Sequence, residues 1–315
     1  MSPLLPDMIQ STSSQSTSPP SSISTMTSSL EERLLNYLEK AKNHDLNFLS
    51  FGWGKDIDDR TMGLEPENLV IVAGANKSGK TTMAVNTAAH NAENGAKTLV
   101  VTTEVTPQQY ILRLVCREIG ISLRDIREGN LSQDQHDAAM ERSRHYANLS
   151  TLRVIGRGHC TTSDVEFDIR NYGPELVIVD HLQRIDPETD NNALGYKHVS
   201  QKLKQLALEY EVPVMVLSQV TMNDDWVDVG DNGDYEYKMD SMSLRWSKEP
   251  LGEGDKILFL HNLERSNIRH KGLMNVIFHS LRDYESGGYK TVRVNYNHQK
   301  VYEGPELIVN SPFNV

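Results

Sequence analysis

Lys80, Thr81, Glu104 and Asp180 are the residues whose types and settings point most directly to chemistry. The stretch VIVAGANKSGKTT, residues 70–82, is an apolar run that ends in Gly74, Gly79, Lys80, Thr81 and Thr82, with the spacing G-x-x-x-x-G-K-(S/T). Glycines at those two places let backbone N–H groups close around phosphate oxygens at a helix N-terminus, with Asn76, Lys77 and Ser78 completing the loop. Lys80 then reaches the terminal phosphates, and Thr81 is placed to hold Mg²⁺. A cradle alone binds nucleotide. Hydrolysis also requires an acid that holds the metal's water and a base that orients the attacking water. Asp180, ending LVIVD, is the candidate for the first, and Glu104, ending KTLVVTTE, for the second. The alternative use of either carboxylate is a helix N-cap or a solvated loop charge. Gln219, closing VPVMVLSQ, is a third polar group at a strand end, with an amide able to sense the terminal phosphate.

Groups so far apart in sequence meet only if the elements between them bring their ends together. From residue 68 the chain alternates apolar runs with helical patterns: NLVIVAG, TTMAVNTAAHNAENG, KTLVVTTE, PQQYILRLVCREIG. The runs are continuous, as in strands buried on both faces of a parallel sheet. Further runs follow at TLRVIG, LVIVD, VPVMVLSQ, KILFLHNL, MNVIFHSLR and TVRVNYN, and YKHVSQKLKQLALEY carries a helical stripe of Val199, Leu203, Leu206 and Tyr210. The pattern predicts an α/β fold with a mostly parallel, doubly wound sheet. The last three runs have little helix between them, so that end is expected to be antiparallel. In such sheets ligands bind beyond the carboxyl ends of the strands, where Gly74, Glu104, Asp180 and Gln219 all fall.

At 315 residues the chain is long enough for a sizeable core. No apolar segment approaches the roughly 20 residues that a bilayer span needs, and the N-terminus lacks a basic start and apolar core, so a soluble, cytoplasmic protein is expected. Cys116 and Cys160 are the only cysteines, which excludes a disulfide framework and a cysteine zinc site. The net charge of -11 argues against a broadly basic nucleic-acid surface, while leaving room for a local basic channel. Residues 1–29 form a tail rich in Ser, Thr and Pro that is expected to be disordered. Ser28 or Ser29 followed by Glu31 or Glu32 is a capping-box pattern, and Leu30, Leu34, Leu38 and Ala41 recur at helical spacing, which predicts a short helix from about residue 30. That helix, within a linker of residues 30–49, either packs on its own domain or docks on a neighbouring subunit. The main domain is expected over 50–303, with a C-terminal tail at 304–315.

The ordered set GLEPENLVIVAGANKSGKTT, KTLVVTTEVTPQQYILRLVCREIGI, DIREGNLS, LVIVDHLQ, SQKLKQLALEYEVPVMVLSQV and TVRVNYNHQKVYE resembles the C-terminal motor domain of DnaB-type replicative helicases over about residues 50–303. The resemblance implies a RecA-like P-loop NTPase core that forms a hexameric ring, threads single-stranded DNA and hydrolyses ATP or another NTP with Mg²⁺ at subunit interfaces. It also implies Lys80 and Thr81 on phosphate and metal, Asp180 on the metal, Glu104 as catalytic carboxylate and Gln219 as coupling residue. Primase, a polymerase or a loader are then candidate partners. The family's N-terminal helical domain is expected to be replaced by the tail and the helix near residue 30. A single-module chain of this kind suits a virus or mobile element, with the host cytoplasm as compartment.

Two departures from the family pattern bear on function. Where the family has a Lys-x-Arg pair that reaches the neighbour's nucleotide, FHSLRDY offers Ser280 and Arg282, so Arg282 is the expected trans-acting arginine. The segment 223–240 holds seven acids against one lysine and would repel a phosphate backbone. Basic candidates for a DNA channel are Arg184, Lys197, Lys202, Lys204, Arg245 and Lys248, and Trp226, Tyr235 and Trp246 are candidates for base stacking. Another RecA-like ATPase, or a nucleotide-gated scaffold without unwinding activity, are the alternative functions.

Overall fold

The computed structural model describes residues 30–43, 46, 48–187, 192–220, 227–228, 235–236, 252–263 and 271–303. The tails at 1–29 and 304–315, Arg245, Lys248 and most of the acidic segment 223–240 lie outside the described residues. The chain divides into two compact units, Met1–Asn47 and Phe48–Val315.

In the first unit, α1 (Leu30–Lys42) begins where the capping pattern places it. Glu31 and Glu32 lie in its first turn and Lys40 and Lys42 in its last, each sign facing the helix-dipole end that stabilises it. Leu34 and Leu38 keep more than half of their surface exposed.

The second unit opens with the short α2 (Lys55–Thr61) and is then built from β1 (Leu69–Gly74), α3 (Lys80–Glu93), β2 (Thr98–Thr102), α4 (Pro107–Ile119), α5 (Leu123–Glu128), α6 (Gln133–Asn148), β3 (Leu152–Gly156), α7 (Thr162–Tyr172), β4 (Leu176–Asp180), α8 (Asn192–Glu209) and β5 (Val214–Gln219). A two-residue ladder, β6 (Val227–Asp228) with β7 (Tyr235–Glu236), precedes β8 (Lys256–Asn262), β9 (Leu273–Leu281), β10 (Tyr289–Asn295) and β11 (Lys300–Glu303). Nine strands form one sheet in the order β11-β10-β9-β8-β1-β5-β4-β2-β3. Every residue of β1, β2, β4 and β8 is buried, as continuous apolar runs require when helices cover both faces. Alternate residues feed two cores: Val70 and Val72 join Ala84, Ala88 and Leu114 on one side, while Leu69 and Ile71 join Ile169, Leu203 and Ala207 on the other.

The expected parallel core and antiparallel C-terminal end are both present, with one refinement. The strand β8 lies parallel to β1, so antiparallel pairing begins only at β9, and β11 adds an edge strand that the apolar pattern did not reveal. The connection from β5 to β8 spans residues 220–255, long enough to enter the sheet from either end, so chain order alone leaves the direction open. The helix α6 also escaped the apolar pattern. Its sequence QDQHDAAMERSRHYAN is polar all round and buries only Tyr146, and its start is marked instead by the capping box of Ser132 and Gln135.

Candidate nucleotide-hydrolysis site

The carboxyl ends of β1, β5, β4 and β2 lie side by side, which places four candidate residues on one edge of the sheet. Gly74 stands in register with Gln219, and Thr102 with Asp180. The loop after Gly74 reaches α3 through Lys77 at φ 57 and Gly79 at φ 102, backbone values that turn successive N–H groups inward ahead of the helix N-terminus. The Lys80 ammonium donates to the carbonyls of Gly74 (2.9 Å) and Ala75 (2.8 Å), so it lies over the loop.

Asp180 is nearly fully buried, and its Oδ2 accepts the Thr81 hydroxyl at 2.8 Å. Burial pushes its carboxyl up to about 6 and the Glu104 charge adds to the rise, while the Thr81 hydrogen bond, Lys80 and Arg113 act against it. Glu104 follows the end of β2 and is exposed, with Oε2 3.5 Å from His181 Nδ1. Burial also pushes the His181 imidazole below its usual value, against the opposing pull of Glu104.

Several residues that build this site were not singled out from the sequence. Thr103 donates both its N–H (2.8 Å) and its hydroxyl (3.0 Å) to the Asp180 carbonyl, and its hydroxyl accepts the His181 N–H at 3.3 Å, tying the exit of β2 to that of β4. Gln183, in the 3-10 turn Leu182–Arg184, accepts the Gln219 N–H (2.9 Å) and donates to the Gln219 carbonyl (3.0 Å) and Ser218 Oγ (3.0 Å). Arg113 faces Asp180 from α4, and burial lowers its pKa against that attraction. The available signal was position: Thr103 and His181 adjoin the two strand-end acids, and Gln183 closes the DHLQ motif.

Other candidates are used elsewhere. The Thr82 hydroxyl donates to Gln299 Oε1 at 3.1 Å, so its side chain serves the C-terminal hairpin and only its backbone N–H can serve a phosphate. Lys204, a channel candidate, instead bonds Glu67 O (2.8 Å) and Asp255 Oδ2 (2.7 Å) beneath the sheet's opposite edge. Arg282 is there as well, ion-paired with Asp255, whose Oδ2 also accepts the Leu69 N–H at 2.7 Å. Arg184 and Lys202 are exposed and Lys197 is half-buried. Asn76 and Lys77 are exposed on the phosphate loop, and Ser78 is buried within it.

Comparison with known proteins places the chain in a family and its fold among solved structures. The model of the DnaB-like helicase C terminal domain matches residues 52–299. The replicative DNA helicase DnaB of Haemophilus influenzae is 28% identical over 293 residues, covering 89% of this chain and 60% of that protein. The Pasteurella multocida protein of the same name is 29% identical over 265 residues, covering 79% and 54%. The chain thus spans little more than half the length of these relatives. Among solved structures, an ATPase domain superposes with a TM-score of 0.76 at 20% identity, covering 88% of this chain and 99% of that one. A DnaB-like replicative helicase, solved in a study of its interactions with primase, gives 0.73 at 20% identity over 88% of this chain and 67% of that one. A match that runs from Gly52 through the phosphate loop, both strand-end acids and Gln219 to Gln299 takes in the whole sheet edge described above, and the chain belongs to the DnaB-like helicase C-terminal domain family.

Proposed function

We propose that this chain is an ATP-dependent, ring-forming DNA helicase motor that translocates on single-stranded DNA during replication, with Mg²⁺ and ATP or another NTP bound at the β1–α3 loop. The observation that carries the reading is the 2.8 Å bond between Thr81 and Asp180, since this joins the end of the phosphate loop to the buried strand-end acid, with Glu104 close by on the far side of His181. The loop fits a nucleotide. A Cβ at Gly79 would stand 2.8 Å from the Tyr296 ring and one at Gly74 2.6 Å from Ser78 Oγ, so both places demand glycine and its freely presented backbone. Ser78 Oγ is buried without a hydrogen-bond partner, as suits a loop that closes on an oxyanion.

On this reading the N–H groups of residues 76–82 and the Lys80 ammonium hold the phosphates, and Thr81 and Asp180 hold the metal. Bound Mg²⁺ supplies charge neutralisation on the phosphate oxygens. Glu104, exposed at the strand exit, orients the attacking water and takes up its proton. Gln219 responds to the terminal phosphate, and Gln183 transmits the response because it grips both sides of the Gln219 backbone from the turn that ends in Arg184. Arg184 and Lys197 are then the described candidates for DNA contact, Tyr196 being anchored to that same turn through the Gln183 carbonyl at 3.2 Å. The remaining assignments are a homo-hexamer, primase, polymerase or a loader as partners, and the cytoplasm as compartment. Among the described residues no helix is long and apolar enough to cross a membrane.

The test is ATP turnover with and without single-stranded DNA, on the parent and on Lys80→Ala, with circular dichroism alongside. Turnover should rise with DNA and vanish in the folded variant. Full activity in Lys80→Ala would remove the phosphate-cradle assignment, and turnover indifferent to DNA would favour a scaffold.

A further inference from the structure

The residue after Asp180 is a histidine, and the structure turns it into the acid pair. His181 Nδ1 lies 3.5 Å from Glu104 Oε2 and 3.9 Å from Asp180 Oδ1, and one donor atom from each of the three falls within 4.8 Å of the others. Three donors bonded to one cation at about 2.1 Å stand roughly 3.0–4.2 Å apart, so a small rotation of the exposed Glu104 completes the set. Thr81 occupies Asp180 Oδ2 and thereby orients the carboxylate, the usual service of a group behind a metal ligand.

We propose that Glu104, Asp180 and His181 bind one borderline-soft divalent cation of the Zn²⁺ or Co²⁺ class, without nucleotide, and that this ion blocks hydrolysis by engaging Glu104. The site differs in kind from an Mg²⁺ site on phosphate: imidazole favours later transition metals, whereas Mg²⁺ demands oxygen ligands and retains its water. Three protein ligands, one of them the exposed Glu104, leave an open position for water. Binding stands independently of the function proposed above, while inhibition rests on the reading of Glu104 as the residue that orients water.

The experiment titrates the nucleotide-free full chain with Co²⁺, followed by visible absorption, and with Zn²⁺, followed by calorimetry. One ion per chain should bind, with affinity at least about tenfold weaker in His181→Phe and in Glu104→Gln. Glu104 is exposed, so its variant reports even where the substitution at buried His181 disturbs folding. Lys80→Ala, which removes no ligand, should bind the metal no more weakly. Unchanged affinity in both ligand variants, or uptake only in the presence of ATP, would overturn the site. Stoichiometric Zn²⁺ binding that leaves ATP turnover unaltered would overturn the inhibition and, with it, the role of Glu104.

Discussion

At the scale of single residues, the candidate site depends on environments that treat two carboxylates differently. Asp180 is buried among Thr81, Thr103 and the core, where a charge is costly until a cation offsets it, and its pKa rises accordingly. Glu104 stands in solvent a few ångströms away. The buried acid suits a metal, and the exposed one suits a water that must enter and leave. Glu104→Gln keeps the shape and removes the charge, so nucleotide binding should persist while turnover falls by about 10² to 10⁴. Equilibrium binding of a fluorescent nucleotide and single-turnover hydrolysis, measured on the same sample, check the two halves. Hydrolysis within twofold of the parent would make Glu104 structural.

At the scale of elements, β8 and β9 decide how the sheet edge next to the phosphate loop behaves. The strand β8 carries His261 one residue past Leu260, the register partner of Gly74. Burial pushes the His261 imidazole down to about 4, and burial also lowers His279 on β9. The folded chain therefore protonates His261 only at much lower pH than the unfolded chain, which takes up protons below about pH 6.5. The His261 contribution to stability is therefore fully present above about 6.5 and lost as pH falls toward 4, and that of His279 has the same sign. For His261 alone the full effect is about 3 kcal/mol. Denaturant unfolding between pH 7 and 5 should show stability falling with pH in the parent and less steeply in His261→Gln; equal slopes would mean that another group governs the loss. The direction of β9 also bears on Arg282. Running antiparallel to β8, it ends with Leu281 opposite Lys256, four positions along β8 from Leu260, so Arg282 leaves the sheet at the edge away from Gly74. A strand that ends at the phosphate edge is β8, and the residues that follow it, 264–270, lie outside the described residues and contain Arg265 and Arg269.

At the scale of the whole molecule, the proposed ring turns these positions into expectations about assembly. Arg282, half exposed beside Asp255, is proposed to complete a neighbour's site in the ring, so Arg282→Ala rings should be nearly inactive alone, and retention of most of their turnover would remove that assignment. Mixing them with Lys80→Ala rings decides the point. In a random equal mixture roughly a quarter of head-to-tail interfaces would join an intact loop to an intact arginine. Activity that returns on mixing would establish Arg282 as the trans-acting arginine. Assembly itself is proposed to use α1, whose leucines stay largely exposed within its own unit. Removing residues 1–29 should leave ring formation with a non-hydrolysable nucleotide unchanged, and removing 1–45 should weaken it. Light scattering of the two truncations reads this directly, and equal ring formation would show that α1 serves no neighbour.

The position of the phosphate loop, the strand-end places of Glu104, Asp180 and Gln219, the parallel core and the start of α1 were all determined by sequence alone. Each is written in local chemistry: glycine spacing, an apolar run with an acid at its end, a capping residue before a helical stripe. The tertiary structure decided which of these residues meet and which are used elsewhere. Nothing local tells that Thr82 will turn to Gln299, that Lys204 and Arg282 will converge on Asp255, or that Thr103 and Gln183 will bind the strand exits together. The partners in these contacts are separated by between 27 and 217 residues or by a strand direction, and sheet order, not chain order, sets their distance. The same reason hid α6 and the parallel direction of β8. A helix that buries a single tyrosine leaves no stripe to read, and a strand reached through a long connection takes its direction from the neighbour it packs against.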